Sequence, residues 1–130
     1  MDDIDWEDQD FPSLHTRVAR DLGFTGGPNV TPEVAQQEAI IAYLMTQIEL
    51  GYEHCEIKLV RHFWPRSQAE EERFRIIPTN QRWNFQVQLE RGYEGKICYA
   101  LPNGRSAVIR LPDYFTQRLL DDCENFFLRD

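Results

Sequence analysis

The sequence predicts an α+β fold with two layers, a mainly antiparallel sheet of about five strands with helices packed on one face, in the order α-α-β-β-β-β-β-α. Three observations predict it. Two segments before residue 51 open on capping residues, repeat apolar residues at helical spacing and stop at glycine. The stretch from His54 to Leu111 alternates apolar and polar residues in short runs separated by turn residues. A last helical pattern follows Pro112-Asp113. A chain of 130 residues fits one domain, read as 13–130 behind an N-terminal arm, 1–12.

The first helix runs from Leu14 to Leu22, with Ser13 as its cap, Leu14, Val18 and Leu22 on one face and Gly23 as its left-handed stop. Thr25 to Asn29 is glycine-rich, but it lacks the Lys-Ser/Thr of a phosphate loop and reads as a connector. Thr31-Pro32-Glu33 starts the main helix, which should reach Leu50 and bury Val34, Ile41, Leu44, Met45 and Ile48.

Strands are expected over His54–Val60, ended by Phe63-Trp64-Pro65, and over Arg73–Ile77, ended by Pro78, with Arg66–Glu72 as a loop between them. Arg82–Glu90 is the cleanest strand, with Trp83, Phe85, Val87 and Leu89 on one side and Asn84, Gln86, Gln88 and Glu90 on the other. One buried and one wet face favour an antiparallel sheet covered on one side. Lys96–Leu101 and Arg105–Leu111 flank Asn103-Gly104, a strong hairpin signal. A two-residue turn there would pair Ala100 with Ala107 and Tyr99 with Val108, placing Tyr99, Val108 and Arg110 on one partly apolar face. The last helix should bury Phe115, Leu119, Cys123 and Phe126.

Charge is uneven. The net charge is −8, and the first ten residues hold six acids (Asp2, Asp3, Asp5, Glu7, Asp8, Asp10) and no base. The rest of the chain is close to balance. A body without basic excess argues against direct binding of nucleic acid. The arm interleaves its acids with Ile4, Trp6 and Phe11, a pattern in which charge steers and an aromatic anchors. The acidic N-terminus is the reverse of a secretory signal, and no apolar run reaches membrane-spanning length. Cys55, Cys98 and Cys123 are odd in number and widely spaced, as expected of small buried hydrophobes in a reducing, cytoplasmic setting.

Catalytic patterns are weak. Glu56-Ile57-Lys58 matches the Glu-x-Lys half of a metal-dependent nuclease motif, in which a carboxylate holds magnesium and the lysine helps activate water. The Pro-Asp expected to precede it is missing; Pro112-Asp113 falls on the wrong side in chain order. His54 and His62 stand too far apart on one strand to share a metal. Arg61, Arg66, Arg73, Arg75 and Arg82 cluster near Trp64 and Trp83, and pairing with Glu70, Glu71, Glu72 and Glu90 is the simpler account of them.

The sequence therefore points to a small protein-binding module without enzymatic activity or cofactor. An inhibitor, immunity or anti-defence factor, or an accessory subunit, would fit. It would dock on another protein, basic or nucleic-acid-associated, through Asp2, Asp3, Asp5, Trp6, Glu7 and Asp8 of the arm and Tyr99, Val108 and Arg110 of the hairpin. The alternative is a small enzyme or ligand-binding domain with a pocket lined by Trp64, Phe74, Trp83, Phe85 and Tyr99.

Overall fold

A computed structural model of the chain describes residues 13–24 and 30–128. The N-terminal arm, with its six predicted contact residues, and the Thr25–Asn29 connector lie outside the described residues. The observed order among the described residues is α1 (Leu14–Asp21), α2 (Pro32–Glu49), β1 (Cys55–Trp64), β2 (Ala69–Pro78), β3 (Phe85–Glu90), β4 (Lys96–Ala100), β5 (Ser106–Arg110) and α3 (Asp113–Leu128). The α+β class and the order agree with expectation. The chain divides into two compact units, Met1–Met45 and Thr46–Asp130, with the boundary inside α2.

In the first unit, the Ser13 hydroxyl accepts from the Thr16 N–H and caps α1. Gly23, at φ +83°, ends that helix, and the Phe24 N–H returns to the Ala19 carbonyl. Val18 is fully buried. The Thr31 hydroxyl accepts from Val34 N–H at the start of α2. Along α2, Ile40, Ile41, Leu44 and Met45 are buried.

The second unit begins with the end of α2. Gly51 and Tyr52 both take left-handed conformations, at φ +69° and +63°. Glycine does so freely; a tyrosine must be held there. Two hydrogen bonds that it donates hold it. The Tyr52 N–H donates to Gln47 O (2.7 Å) and the Tyr52 hydroxyl to Asp122 of α3. The buried Gln47 side chain in turn accepts from the His54 N–H at 3.0 Å, fixing the entry into β1.

Five antiparallel strands then form one meander, in the order β1-β2-β3-β4-β5. Its covered face carries Ile57, Phe74, Ile76, Phe85, Val87, Leu89, Ile97, Tyr99 and Ile109, all buried. Helix α3 lies over β3 and contributes Phe115, Thr116, Leu119, Leu120 and Cys123 to this core. Gly95 in the β3–β4 loop packs directly on α3, its N–H donating to Thr116 Oγ1 at 3.1 Å.

Several expectations are corrected. Helix α3 leaves Phe126 46% exposed, outside the core; its ring stacks edge-on against Phe127, which reaches the buried Phe74 ring 6.0 Å away. Strand β3 starts at Phe85, because Asn80 accepts from the Arg82 N–H through its side chain and from the Trp83 N–H through its carbonyl, turning the chain there. Strands β1 and β2 run through Phe63-Trp64 and through Glu70–Glu72, where an end and a loop were expected.

The β4–β5 register is one residue off the expected one: Ala100 pairs with Ser106, Tyr99 with Ala107 and Cys98 with Val108. A two-residue turn at Asn103-Gly104 would need Pro102 to donate the closing hydrogen bond to Arg105, and proline has no N–H. The loop therefore takes three residues. Leu101 N–H donates to Arg105 O at 2.7 Å, Gly104 N–H donates to Leu101 O at 3.0 Å, and Gly104 sits at φ +86°. A one-residue shift exchanges faces. Tyr99 is consequently 2% exposed in the core, while Val108, on the opposite face, is 49% exposed.

Candidate functional site

Two surface features stand out, and both follow from strand register. The first is a ribbon. Strand β2 pairs with β3 only from Arg73 to Ile76, but β1 and β2 stay paired to Trp64–Ala69. Four further residue pairs, Arg61 with Glu72 through Trp64 with Ala69, thus project about 13 Å beyond the rest of the sheet. Every residue from Val60 to Glu70 is exposed. Among them Val60 is 48%, Phe63 51% and Trp64 47% exposed. Phe63 lies on one face of the ribbon; Val60, His62 and Trp64 lie on the other, with the His62 and Trp64 rings edge-on at 4.1 Å.

The ribbon's charges are arranged to hold it together. Arg61 meets Glu72 at 2.9 Å, and Arg73 meets Glu71 and Glu90 at 3.2 Å each. Arg61–Glu72 and Arg73–Glu90 are cross-strand ion pairs of the kind the sequence suggests for its arginine cluster, whereas Arg73–Glu71 lies within β2 and Arg66, Arg75 and Arg82 form no ion pair among the described residues. All these pairs are at the surface, so each is worth well under about 1 kcal/mol.

The second feature is the face of the sheet opposite the core. Read across the five strands, Lys58 lies opposite Arg75, Arg75 opposite Gln88, Gln88 opposite Lys96 and Lys96 opposite Arg110. Four cations thus stand in one line about 19 Å long around a single glutamine. All four are exposed. Arg110 is 3.8 Å from Glu94. Lys58, Arg75 and Lys96 form no ion pair among the described residues. Beside the row is an open depression of about 410 Å³ whose polar lining is Arg73, Arg75, Gln88, Tyr93 and Lys96 together with two carboxylates, Glu90 and Glu94.

The predicted contact residues divide accordingly. Val108 and Arg110 are on this open face; Tyr99 is not, and the arm residues lie outside the described residues. The aromatic pocket does not form, since Phe85 and Tyr99 are core and Trp64 stands out on the ribbon. Glu56 and Lys58 do share the open face, but their partners across the ladder are Ile77 and Arg75, with no carboxylate opposite either. Among the described residues no group of three or more His, Cys, Asp or Glu is placed to hold a metal ion. No described helix is long and apolar enough to cross a membrane.

Other polar chemistry in the second unit is structural. The Arg118 guanidinium contacts both Asp122 oxygens, at 3.0 and 3.2 Å, and Asp122 accepts from Tyr52. Burial first, and then the Asp122 bond, raise the Tyr52 hydroxyl above its ordinary range, so it stays a donor. Burial also pushes the Cys123 thiol up to about 12, helped by Asp122 and Glu124, and the Cys55 thiol up to about 11. Thiols this hard to ionise are poor nucleophiles. All three cysteines are free; Cys123 is buried, while Cys55 and Cys98 are half-buried rather than fully enclosed as the sequence suggests.

No protein-family model matches the chain, and neither a curated protein nor a solved structure matches it.

Proposed function

We propose that the protein is a protein-binding module whose anchor is the projecting β1–β2 ribbon. The observation that carries this reading is the exposure of Val60, Phe63 and Trp64 on a two-stranded element that has no sheet neighbour beyond Arg73. An isolated ribbon is marginal in water, and its own side chains bury little. Apolar groups there add nothing to the core, yet Phe, Trp and Arg are types enriched at protein interfaces, and Trp and Arg are among those that dominate binding hot spots. A partner groove closing over the ribbon would bury both its faces.

Val108 and Arg110 extend the contact surface along the open face of the sheet. The acidic arm, with Asp2, Asp3, Asp5, Trp6, Glu7 and Asp8, supplies a steering charge for a basic region of the partner. This reading assigns the protein no reaction and no cofactor.

The test is affinity capture with three forms of the chain: wild type, Phe63→Ser/Trp64→Ser, and Val108→Ser. The double substitution removes exposed side chains and should leave the circular dichroism spectrum and melting temperature nearly unchanged. It should abolish capture of a partner that wild type retains, while Val108→Ser weakens it. A partner held equally by wild type and the ribbon variant would remove the ribbon from the account.

A further inference from the structure

We propose that the cation row on the open sheet face is the docking site for an acidic protein segment bound in extended form. The proposal rests on the binding-module reading and adds the chemistry of a partner at a second surface, distinct from the ribbon tip.

The row is costly to the fold. Like charges placed directly opposite each other on adjacent strands destabilise a sheet, and the row contains two such pairs, Lys58 with Arg75 and Lys96 with Arg110. Elsewhere on the same strands the chain does the reverse, setting Arg61 opposite Glu72 and Arg73 opposite Glu90. The matched pairs sit on the ribbon and at its root; the mismatched ones share a single line across the sheet. A departure from local charge matching that recurs in register is expected where a surface serves a ligand. A negatively charged occupant relieves both repulsions at once.

The dimensions suit an extended peptide. The row is about 19 Å long, and alternate side chains of an extended chain recur about every 6.6 Å, so three carboxylates span most of it. Arg75 and Arg110 offer planar forks for bidentate pairing with carboxylates, with Lys96 a point charge between them and Lys58 another at the end of the row beyond Arg75. Gln88, at the centre, brings both a donor and an acceptor, which suits a peptide backbone. The adjoining depression, edged by the exposed Tyr93, accommodates a side chain.

A protein segment fits better than a nucleic acid. Glu56, Glu71 and Glu90 lie on the same face as the row, where they would repel a continuous phosphate backbone passing over it. Acids and bases nearly balance over residues 46–128, so the field attracting a long polyanion is weak. Three or four well-placed carboxylates need only the local complement.

The experiment titrates the full chain into a fluorescein-labelled ten-residue peptide carrying Asp or Glu at every second position, read by anisotropy. Controls are the same peptide with Asn and Gln at those positions and a ten-nucleotide thymidine oligomer. The acidic peptide should bind, and Lys58→Gln/Arg75→Gln/Lys96→Gln should weaken it at least tenfold. Arg75→Gln alone, a milder change should the triple variant fold poorly, should weaken it severalfold. Raising salt from 50 to 200 mM should do the same for wild type. The Asn/Gln peptide should not bind. Absence of acidic-peptide binding, or binding indifferent to these substitutions, overturns the proposal; tighter binding of the oligomer than of the peptide overturns it in favour of nucleic acid. Phe63→Ser/Trp64→Ser should bind the peptide like wild type, so failure of the ribbon reading and failure of this one are read separately.

Discussion

Gly95 is where the packing of α3 on the sheet is most exposed to a single-atom test. A Cβ added at Gly95 would stand 2.7 Å from Thr116 Oγ1, 3.1 Å from Leu89 Cδ2 and 3.2 Å from Thr116 Cγ2. The backbone at Gly95 is not left-handed, so alanine meets no conformational penalty there and the cost is steric. Thr116 cannot easily yield: it is buried, β-branched and stiff at χ1, and its hydroxyl accepts from the Gly95 N–H. Overpacking of this kind costs about 1–3 kcal/mol. Thr116→Ala should cost about 1–2 kcal/mol by leaving the Gly95 N–H without its acceptor. The alanine at 116 also removes the two Thr116 contacts, the shortest included, and leaves only that with Leu89, so the double variant should be more stable than the sum of the singles by at least about 1 kcal/mol. Urea unfolding followed by tryptophan fluorescence measures all four corners of the cycle. Additive losses, or a Gly95→Ala variant as stable as wild type, would refute the packing of α3 against the β3–β4 loop.

Gly104→Ala tests the hairpin by the opposite route: its added Cβ meets nothing within 4 Å, but φ is +86°, so the loss should be about 1 kcal/mol and purely conformational. Tyr52→Phe removes one of the groups that Asp122 accepts from while Arg118 still holds the carboxylate, and thermal or urea unfolding should register a loss of about 1–2 kcal/mol. Disulfide-exchange labelling at pH 8 should modify Cys98 readily and Cys123 only as the protein unfolds; equal rates at the two would contradict the core assignment. Burial lifts the Cys123 and Cys55 thiols to about 12 and about 11 in the folded state, against roughly 8.5 in an unfolded chain. Their contribution is therefore complete below about pH 8.5 and is lost as pH rises through those folded values, so the melting temperature should fall over that interval and fall less steeply in Cys123→Ala.

What the sequence reveals depends on whether a residue's neighbours impose a pattern on it. Ser13, Thr31, Gly23 and Gly51 announce helix ends because capping chemistry is local, and all four do so in the structure. Phe85, Val87 and Leu89 announce a strand because one of its faces is buried. The ribbon is wet on both faces, so Arg66–Glu72 shows no alternation and reads as a loop, although Glu70–Glu72 pair with Arg61–Phe63. That hid the candidate anchor: Phe63 and Trp64 look like a strand's end when strand order is unknown. The hairpin at Asn103-Gly104 carried a sufficient signal in Pro102, whose missing N–H excludes the two-residue turn. With that register in hand, Tyr99 parts from Val108 and Arg110 falls opposite Lys96; Lys58 and Arg75 join the line only through the registers of the other three strand pairs. The row brings together residues from four strands, and no sequence spacing reveals it.

Amide hydrogen exchange across residues 60–72, in the isolated protein and with its captured partner, tests the ribbon most directly. The account predicts fast exchange at the ribbon amides of the isolated chain, while β3 and β4 stay protected, and strong slowing at the ribbon once the partner is bound. Slow exchange in the isolated chain, or ribbon rates unchanged in the complex, would contradict it.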